Sequence, residues 1–265
     1  MGAGAVSEAR AAPAGAGEAI LSARGLVMEF RGFRAVNGVD LDVREGTIHA
    51  LIGPNGAGKT TVFNLLTKFL TPTEGTIRFR GRDITRLKPA EVARLGLVRS
   101  FQISAVFPHL TVLDNVRVAL QRPAGLATQF WRPSAALGRL DARAGELIEA
   151  VGLLPYAHLD AAELPYGRKR ALEIATTLAL DPPVMLFDEP MAGMGAEDIG
   201  RVSALIRRIA EGRTVLMVEH NLGVVADLCD RVTVLARGEI LAEGDYASVS
   251  ADPRVREAYM GSEHD

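Results

Sequence analysis

The feature that most constrains this chain is a glycine-rich turn at residues 53–60, which reads Gly-Pro-Asn-Gly-Ala-Gly-Lys-Thr. The residues just before it, 47–52, carry no charged side chain, as expected for a buried strand of a parallel sheet. The residues after it, 60–70, have apolar side chains at helical spacing. A strand, a glycine turn and a helix in this order predict an α/β fold with the turn at the carboxyl edge of a sheet.

The turn fits the pattern G-x-x-x-x-G-K-[ST], whose chemistry suits a polyphosphate. Glycines let backbone N–H groups turn inward around an anion, and a helix N-terminus adds about half a positive charge. Lys59 is expected to reach the β- and γ-phosphates, and the Thr60 hydroxyl is expected to bind Mg²⁺. The turn therefore predicts a site for a nucleoside triphosphate.

Helices alternate with short apolar strands along the rest of the chain, which predicts a parallel sheet flanked by helices. The predicted strands are 26–30, 39–43, 75–81, 184–187 and 214–218. The predicted helices are 169–180, 199–210 and 221–228, and a hairpin at 231–242 is predicted to turn at Arg237 and Gly238. Residues 102–164 contain four prolines and helical patches at 113–120 and 142–151, so we expect a helical insert there.

Composition excludes several classes of protein. The 265 residues include 30 basic and 32 acidic side chains, and the net charge of −2 gives no reason to expect a nucleic-acid partner. A single cysteine cannot form an internal disulfide, and no apolar run is long enough to cross a membrane. Residues 1–18, rich in alanine and glycine, are predicted to be a disordered tail, and 19–265 one domain in the cytoplasm.

A second acidic site follows the apolar strand 184–187, which ends in Asp188 and Glu189. The carboxyl ends of parallel strands face the ligand crevice of an α/β sheet. Asp188 is therefore expected to help hold the metal, and Glu189 to accept a proton from an attacking water.

Together these motifs resemble those of the ATP-binding subunits of ABC transporters, from about Leu26 onward. Residues 53–61 are similar to Walker A, and Asp188 with Glu189 is similar to Walker B and its catalytic glutamate. The resemblance implies a P-loop NTPase (RecA-like) core, an antiparallel β subdomain and an inserted helical subdomain, with 102–164 as the insert. It also implies ATP and Mg²⁺ as ligands.

The resemblance assigns further residues to the site. Gln102, after Ser100 and Phe101, is implied to touch Mg²⁺ and to sense the membrane partner, and His220 to contact the γ-phosphate. The implied catalytic residues are Glu189, His220 and Gln102, and the implied metal ligands are Thr60, Gln102 and Asp188. The implied ATP-binding residues are Phe30, Gly53, Pro54, Asn55, Gly56, Ala57, Gly58, Lys59, Thr60 and Thr61, with Phe33 as a competitor of Phe30 for stacking on adenine.

The family's signature motif, which caps the ATP of the opposite subunit, corresponds here to Leu164, Pro165, Tyr166 and Gly167. This chain departs from the commonest pattern, because Pro165 replaces a serine and Tyr166 a glycine. Gly195 also stands where many members carry an aspartate. The resemblance implies a sandwich of two ATPase subunits around two ATP molecules. The second subunit is either a copy of this chain or a paralogue.

These departures, together with residues 218–221 and 252–261, resemble the ATPases of branched-chain amino acid importers. The resemblance implies transmembrane permease subunits as partners on the cytoplasmic face of the plasma membrane, and indirectly an external solute-binding protein. Three alternatives remain open at this stage. They are an ATPase of a lipid or polysaccharide exporter, a nucleotide-gated dimerisation module with little turnover, and a soluble ABC ATPase of DNA repair or translation.

Overall fold

The computed structural model describes residues 18–100, 106–126 and 138–260, which form two sheets and their covering helices. The strands are β1 (Ala19–Phe30), β2 (Phe33–Arg44), β3 (Ile48–Ile52), β4 (Glu74–Phe79), β5 (Arg82–Asp83), β6 (Leu97–Ser100), β7 (Val184–Asp188), β8 (Thr214–Val218), β9 (Arg231–Ala236) and β10 (Glu239–Gly244). The helices are α1 (Lys59–Leu66), α2 (Pro89–Leu95), α3 (Val112–Gln121), α4 (Asp141–Ala150), α5 (Tyr166–Leu178), α6 (Ala196–Ile209), α7 (Leu222–Leu228), α8 (Tyr246–Ala251) and α9 (Pro253–Met260).

The larger sheet has the strand order β10-β9-β3-β8-β7-β6. Neighbouring strands from β9 to β6 run parallel, and β10 is an antiparallel edge strand on β9. Every residue of β3 and β8 is buried, as in sheets that are covered on both faces. The carboxyl ends of β3, β7 and β8 lead directly into Gly53, Glu189 and Glu219, so these three residues emerge at one edge of the sheet.

The smaller sheet is antiparallel, in the order β2-β1-β4-β5. The hairpin between β1 and β2 turns at Arg31 and Gly32, both with positive φ (51° and 88°). This turn sets Phe30 opposite Phe33. The structure therefore confirms the predicted antiparallel β subdomain, with strands that are longer than the apolar patterns at 26–30 and 39–43 indicated.

Two apolar cores lie on opposite faces of the larger sheet. Alternate residues of β3 divide between them: Ile48, Ala50 and Ile52 join one core and Leu51 joins the other. The first core extends into α3, α4, α5 and α6, and the second packs α1 beneath the antiparallel sheet. The phosphate turn therefore connects a strand shared by both cores to a helix held in the second.

The described parts of the insert are helical, as predicted. Thr111 caps the N-terminus of α3, and its hydroxyl accepts a hydrogen bond from the Asp114 N–H (3.1 Å). Short 3-10 turns at Leu154–Tyr156 and Ala161–Glu163 lead into α5. Gln102 lies outside the described residues, as do residues 127–137 of the insert and residues 1–17 of the predicted tail. The bounds 102–164 for the insert stay a prediction.

Some element predictions were wrong. The helix predicted to reach residue 70 ends at Leu66, because Lys68 has a positive φ of 65°, a conformation that cannot continue a right-handed helix. Helix α2 and strand β6 were not predicted, since both are short and β6 contains Arg99 within its apolar pattern. Within the described ranges, no helix has the length and apolar character needed to cross a membrane.

Candidate nucleotide site

The glycine turn between β3 and α1 depends on backbone conformations that other residues rarely adopt. Gly53, Gly56 and Gly58 have φ of 150°, 74° and 99°. A Cβ on Gly53 would lie 2.0 Å from the Leu235 carbonyl oxygen, and one on Gly58 would lie 2.5 Å from the Ala35 carbonyl oxygen. Glycine at 53 and 58 is therefore required by close backbone packing as well as by φ.

Lys59 is buried at the start of α1, and its Nζ donates to the carbonyls of Gly53 (2.7 Å) and Pro54 (2.9 Å). Burial lowers the pKa of this ammonium group, and the nearby charge of Glu189 opposes that shift. The cation is thus held inside the turn at the positive end of α1, near the carboxylate of Glu189. Asn55, Gly56 and Thr60 are exposed at the rim of the turn.

Asp188 is held by an arginine that the sequence analysis did not single out. Its Oδ2 forms an ion pair with the Arg99 guanidinium, and the Arg99 side chain is only 4% exposed. Arg99 also donates to Asn64 Oδ1 (2.6 Å) and lies 5.4 Å from the centroid of the Phe63 ring. This arginine therefore joins β6, β7 and α1 at the edge of the sheet.

Glu189 lies just beyond β7 in a left-handed backbone conformation, with φ of 49°. Its N–H donates to the Val218 carbonyl (2.9 Å), which fixes the turn to the end of β8. His220 follows β8, and its Nε2 lies 2.9 Å from Glu189 Oε1. Both side chains are water-accessible, at 42% and 45% exposure, so the predicted catalytic pair is brought together where water can reach it.

Glu219, between β8 and His220, is a second residue that the sequence analysis missed. It is 3% exposed, and its carboxylate accepts hydrogen bonds from three backbone N–H groups. These donors are Met191 (3.0 Å), His220 (2.9 Å) and Asn221 (3.1 Å). The carboxylate therefore ties the turn that follows β7 to the turn that carries His220. The available signal was a charged residue directly after the apolar run 215–218.

The two phenylalanines of the β1–β2 hairpin are exposed, Phe30 at 42% and Phe33 at 68%. Neither serves the apolar core, so both remain available for stacking on a base. The adenine-stacking role predicted for Phe30, with Phe33 as its competitor, stays a prediction.

The predicted signature residues lie at the start of α5. Pro165 precedes the helix, and Tyr166 opens it with 47% exposure. Arg170 donates to the Tyr166 hydroxyl (2.8 Å) and holds the ring on the first turn of the helix. Gly167 is buried, and a Cβ there would lie 2.6 Å from Asp198 Cγ. The contact of these residues with ATP of an opposite subunit stays a prediction.

The donor set is suited to a magnesium ion that shares its coordination sphere with phosphates. The described residues contain no group of three or more His, Cys, Asp and Glu side chains that could hold a metal. Mg²⁺ commonly uses one or two carboxylates together with substrate phosphates and waters. Arg99 takes Oδ2 of Asp188 and leaves Oδ1 open among the described residues, and the Thr60 side chain is exposed. These two oxygens fit the predicted ion.

A parallel sheet with a phosphate turn after a central strand, and acidic residues after the adjoining strands, defines a P-loop nucleotide-binding protein. The chain belongs to the ABC transporter family, because that family's model matches residues 36–192. A second family model, described as the branched-chain amino acid ATP-binding cassette transporter, matches residues 239–265. The chain is therefore an ABC ATPase, a subunit type that dimerises and works with transmembrane components.

The most similar relatives include the high-affinity branched-chain amino acid transport ATP-binding protein LivG of Salmonella typhimurium. It is 39% identical over 249 residues, covering 91% of this chain and 98% of the relative. BraF of Pseudomonas aeruginosa, which carries the same description, has the same identity and coverage. Among solved structures, the ADP conformation of the ATP-binding cassette MJ1267 superposes with a TM-score of 0.80 at 30% identity, covering 92% of this chain and 99% of that one.

Proposed function

We propose that this chain is the ATP-hydrolysing subunit of an importer for branched-chain amino acids or similar small solutes. The observation that carries the proposal is the likeness to LivG along 98% of that protein, joined to the family model that matches residues 239–265. The chain would act at the cytoplasmic face of the plasma membrane, on transmembrane permease subunits that receive solute from an external binding protein.

In this proposal the turn at 53–60 and Lys59 bind the phosphates of ATP, and Thr60, Asp188 and Gln102 hold Mg²⁺. When bound, Mg²⁺ neutralises charge on the phosphate oxygens. Glu189 accepts a proton from the attacking water, since its carboxylate is water-accessible. His220 orients that carboxylate through its hydrogen bond to Glu189 Oε1. The position of His220 is in turn fixed by the hydrogen bond from its N–H to the Glu219 carboxylate.

The hydrolysis part is tested with purified chain. Lys59→Ala should abolish binding of Mg-ATP, and Glu189→Gln should keep binding but lower turnover by at least about a hundredfold, the usual share of a general base. A size-exclusion shift of Glu189→Gln from 28.3 kDa to about twice that mass with Mg-ATP would support the sandwich dimer. Tight binding by the unmodified chain without turnover would instead support the nucleotide-gated module.

The cargo is tested separately, because the ATPase does not touch it. The gene should restore leucine uptake in a bacterium that lacks its own LivG, and the Lys59→Ala variant should not. If the chain hydrolyses ATP but does not restore uptake, and neighbouring genes encode no solute-binding protein, the exporter alternative is favoured.

A further inference from the structure

A buried cation, Arg99, stands beside the carboxylate that is proposed to hold the metal. The Arg99 side chain is 4% exposed, and its guanidinium is paired with Asp188 Oδ2. Burial lowers the pKa of Arg99, and the hydrogen bond and charge of Asp188 oppose that shift. The carboxylate therefore compensates a positive charge that is kept away from water.

The guanidinium is also held from the side of α1. It donates to Asn64 Oδ1 (2.6 Å), and its Cζ lies 5.4 Å from the centroid of the Phe63 ring and 5.8 Å from that of the Phe69 ring. Asn64 and Phe63 belong to α1, the helix that begins at Lys59 directly after the phosphate turn. The charge therefore has a fixed position relative to that turn, and it cannot move away from an approaching cation without breaking these contacts.

Stability alone does not call for a cation at this position. Replacing a buried ion pair by apolar side chains of similar volume is often neutral or stabilising. This pair carries a further cost, because the buried Arg99 Nε has no hydrogen-bond partner among the described residues. A guanidinium nevertheless does what an apolar side chain cannot, since it neutralises the Asp188 carboxylate while no metal is bound.

We propose that Arg99 is a resident counter-ion that keeps Asp188 from binding a divalent cation until a nucleotide brings phosphate charge to the turn. This inference rests on the proposed binding of ATP and Mg²⁺ at the site. Arg99 touches no ligand in this proposal and acts through Asp188, so it is a positioning residue. Its consequence is that metal binding depends on the nucleotide.

The size of the effect follows from the charges. Asp188 Oδ1 remains open among the described residues, so the carboxylate can still take a metal while Arg99 holds Oδ2. Two cations that share one carboxylate lie about 5 Å apart, and even with the dielectric constant of water their repulsion weakens the binding of a divalent ion about tenfold. The negative charge of a bound polyphosphate offsets this repulsion.

The test measures the binding of Mn²⁺, used in place of Mg²⁺, to the purified chain without nucleotide. Electron paramagnetic resonance follows the loss of the signal of free Mn²⁺. Arg99→Met should lower the Kd for Mn²⁺ at least about tenfold, because Asp188 loses its counter-ion. Arg99→Lys should bind Mn²⁺ as weakly as the unmodified chain, because lysine keeps the positive charge. The matched control is the double variant of Arg99→Met with Asp188→Asn, which should lose the gain.

Thermal unfolding supplies a second readout that a purely structural role of Arg99 would not change. A ligand that binds only the folded state raises its stability. Mn²⁺ without nucleotide should therefore raise the Tm of Arg99→Met more than the Tm of the unmodified chain or of the double variant.

An unchanged Kd for Mn²⁺ in Arg99→Met would overturn the proposal, and so would a gain in affinity that persists after Asp188→Asn. If Arg99→Met does not fold, the unmodified chain decides, because a Kd for Mn²⁺ that does not fall when ADP is added would overturn the proposal. The proposed function fails separately if the unmodified chain does not bind Mg-ADP, whereas the comparison of variants without nucleotide still tests Arg99.

Discussion

Replacing Glu219 by glutamine would remove a buried charge while nearly keeping the shape of the side chain. In the structure Oε1 accepts from Met191 N–H, and Oε2 accepts from His220 N–H and Asn221 N–H. A glutamine must present its NH₂ group to one of these two sides. The better orientation keeps the oxygen on His220 and Asn221 and turns the NH₂ group toward the Met191 N–H, where two donors face each other.

The expected cost follows from this arrangement. A buried N–H without an acceptor costs about 1–3 kcal/mol, and a neutral hydrogen bond contributes about 1 kcal/mol less than one to a charged group. The two bonds that remain would each lose that difference. Part of the loss is recovered because the glutamine carries no buried charge that must be desolvated. We therefore expect Glu219→Gln to lower the free energy of unfolding by about 2–4 kcal/mol.

Urea denaturation measures this change, with Glu211→Gln as the control. Glu211 is exposed in the turn before β8, so the control should stay within about 0.5 kcal/mol of the unmodified chain. Turnover should also fall in Glu219→Gln, because the N–H anchor of His220 is weakened. A destabilisation no greater than that of the control would refute the reasoning that Glu219 anchors both turns.

Two further predictions concern buried titratable side chains elsewhere in the sheet. Arg99→Met should lower the free energy of unfolding by about 3–5 kcal/mol, because it leaves Asp188 unpaired. The double variant with Asp188→Asn should lose less stability than the sum of the two single losses, as measured by urea denaturation. Additive losses in this double-mutant cycle would contradict the pairing. Burial, with Arg231 and Arg44 nearby, lowers the pKa of His49 to about 3, so below pH 6.5 protons bind the unfolded chain more readily than the folded one. Stability should therefore fall by up to about 1.4 kcal/mol per unit as the pH decreases from 6.5 toward 3, and His49→Gln should remove that slope in urea denaturation at pH 7 to 5.

The parts of the fold that could be predicted from sequence are those that depend on neighbours in the chain. The glycines at 53, 56 and 58 belong to an eight-residue motif that can be recognised from sequence. The apolar runs before Asp188 and His220 can be recognised in the same way, because each is a short continuous segment. The same reasoning places these segments at one edge of the sheet, because parallel strands have their carboxyl ends on one side. The described helical insert and the hairpin at Arg237 followed from equally short patterns.

The residues that were missed act through partners that are distant in sequence. Arg99 pairs with Asp188, 89 positions away, and Glu219 accepts a hydrogen bond from the Met191 N–H, 28 positions away. A charged residue inside a short strand, such as Arg99, also weakens the apolar pattern that would have revealed β6. Such contacts are set by tertiary packing, which residue propensities and hydrophobic periodicity do not predict.

Three carboxylates lie at the carboxyl ends of β7 and β8, and their surroundings separate roles that the sequence leaves open. Glu219 is 3% exposed and occupied by three N–H groups, so it can position backbone but cannot meet a ligand. Asp188 is held by Arg99 through one oxygen, which leaves the other for a cation. Glu189 is 42% exposed beside His220, against 15% for Asp188, so of the three it is the most accessible to water. Solvent access and partner type therefore favour Glu189 as the base, a choice that strand-end position alone could not make.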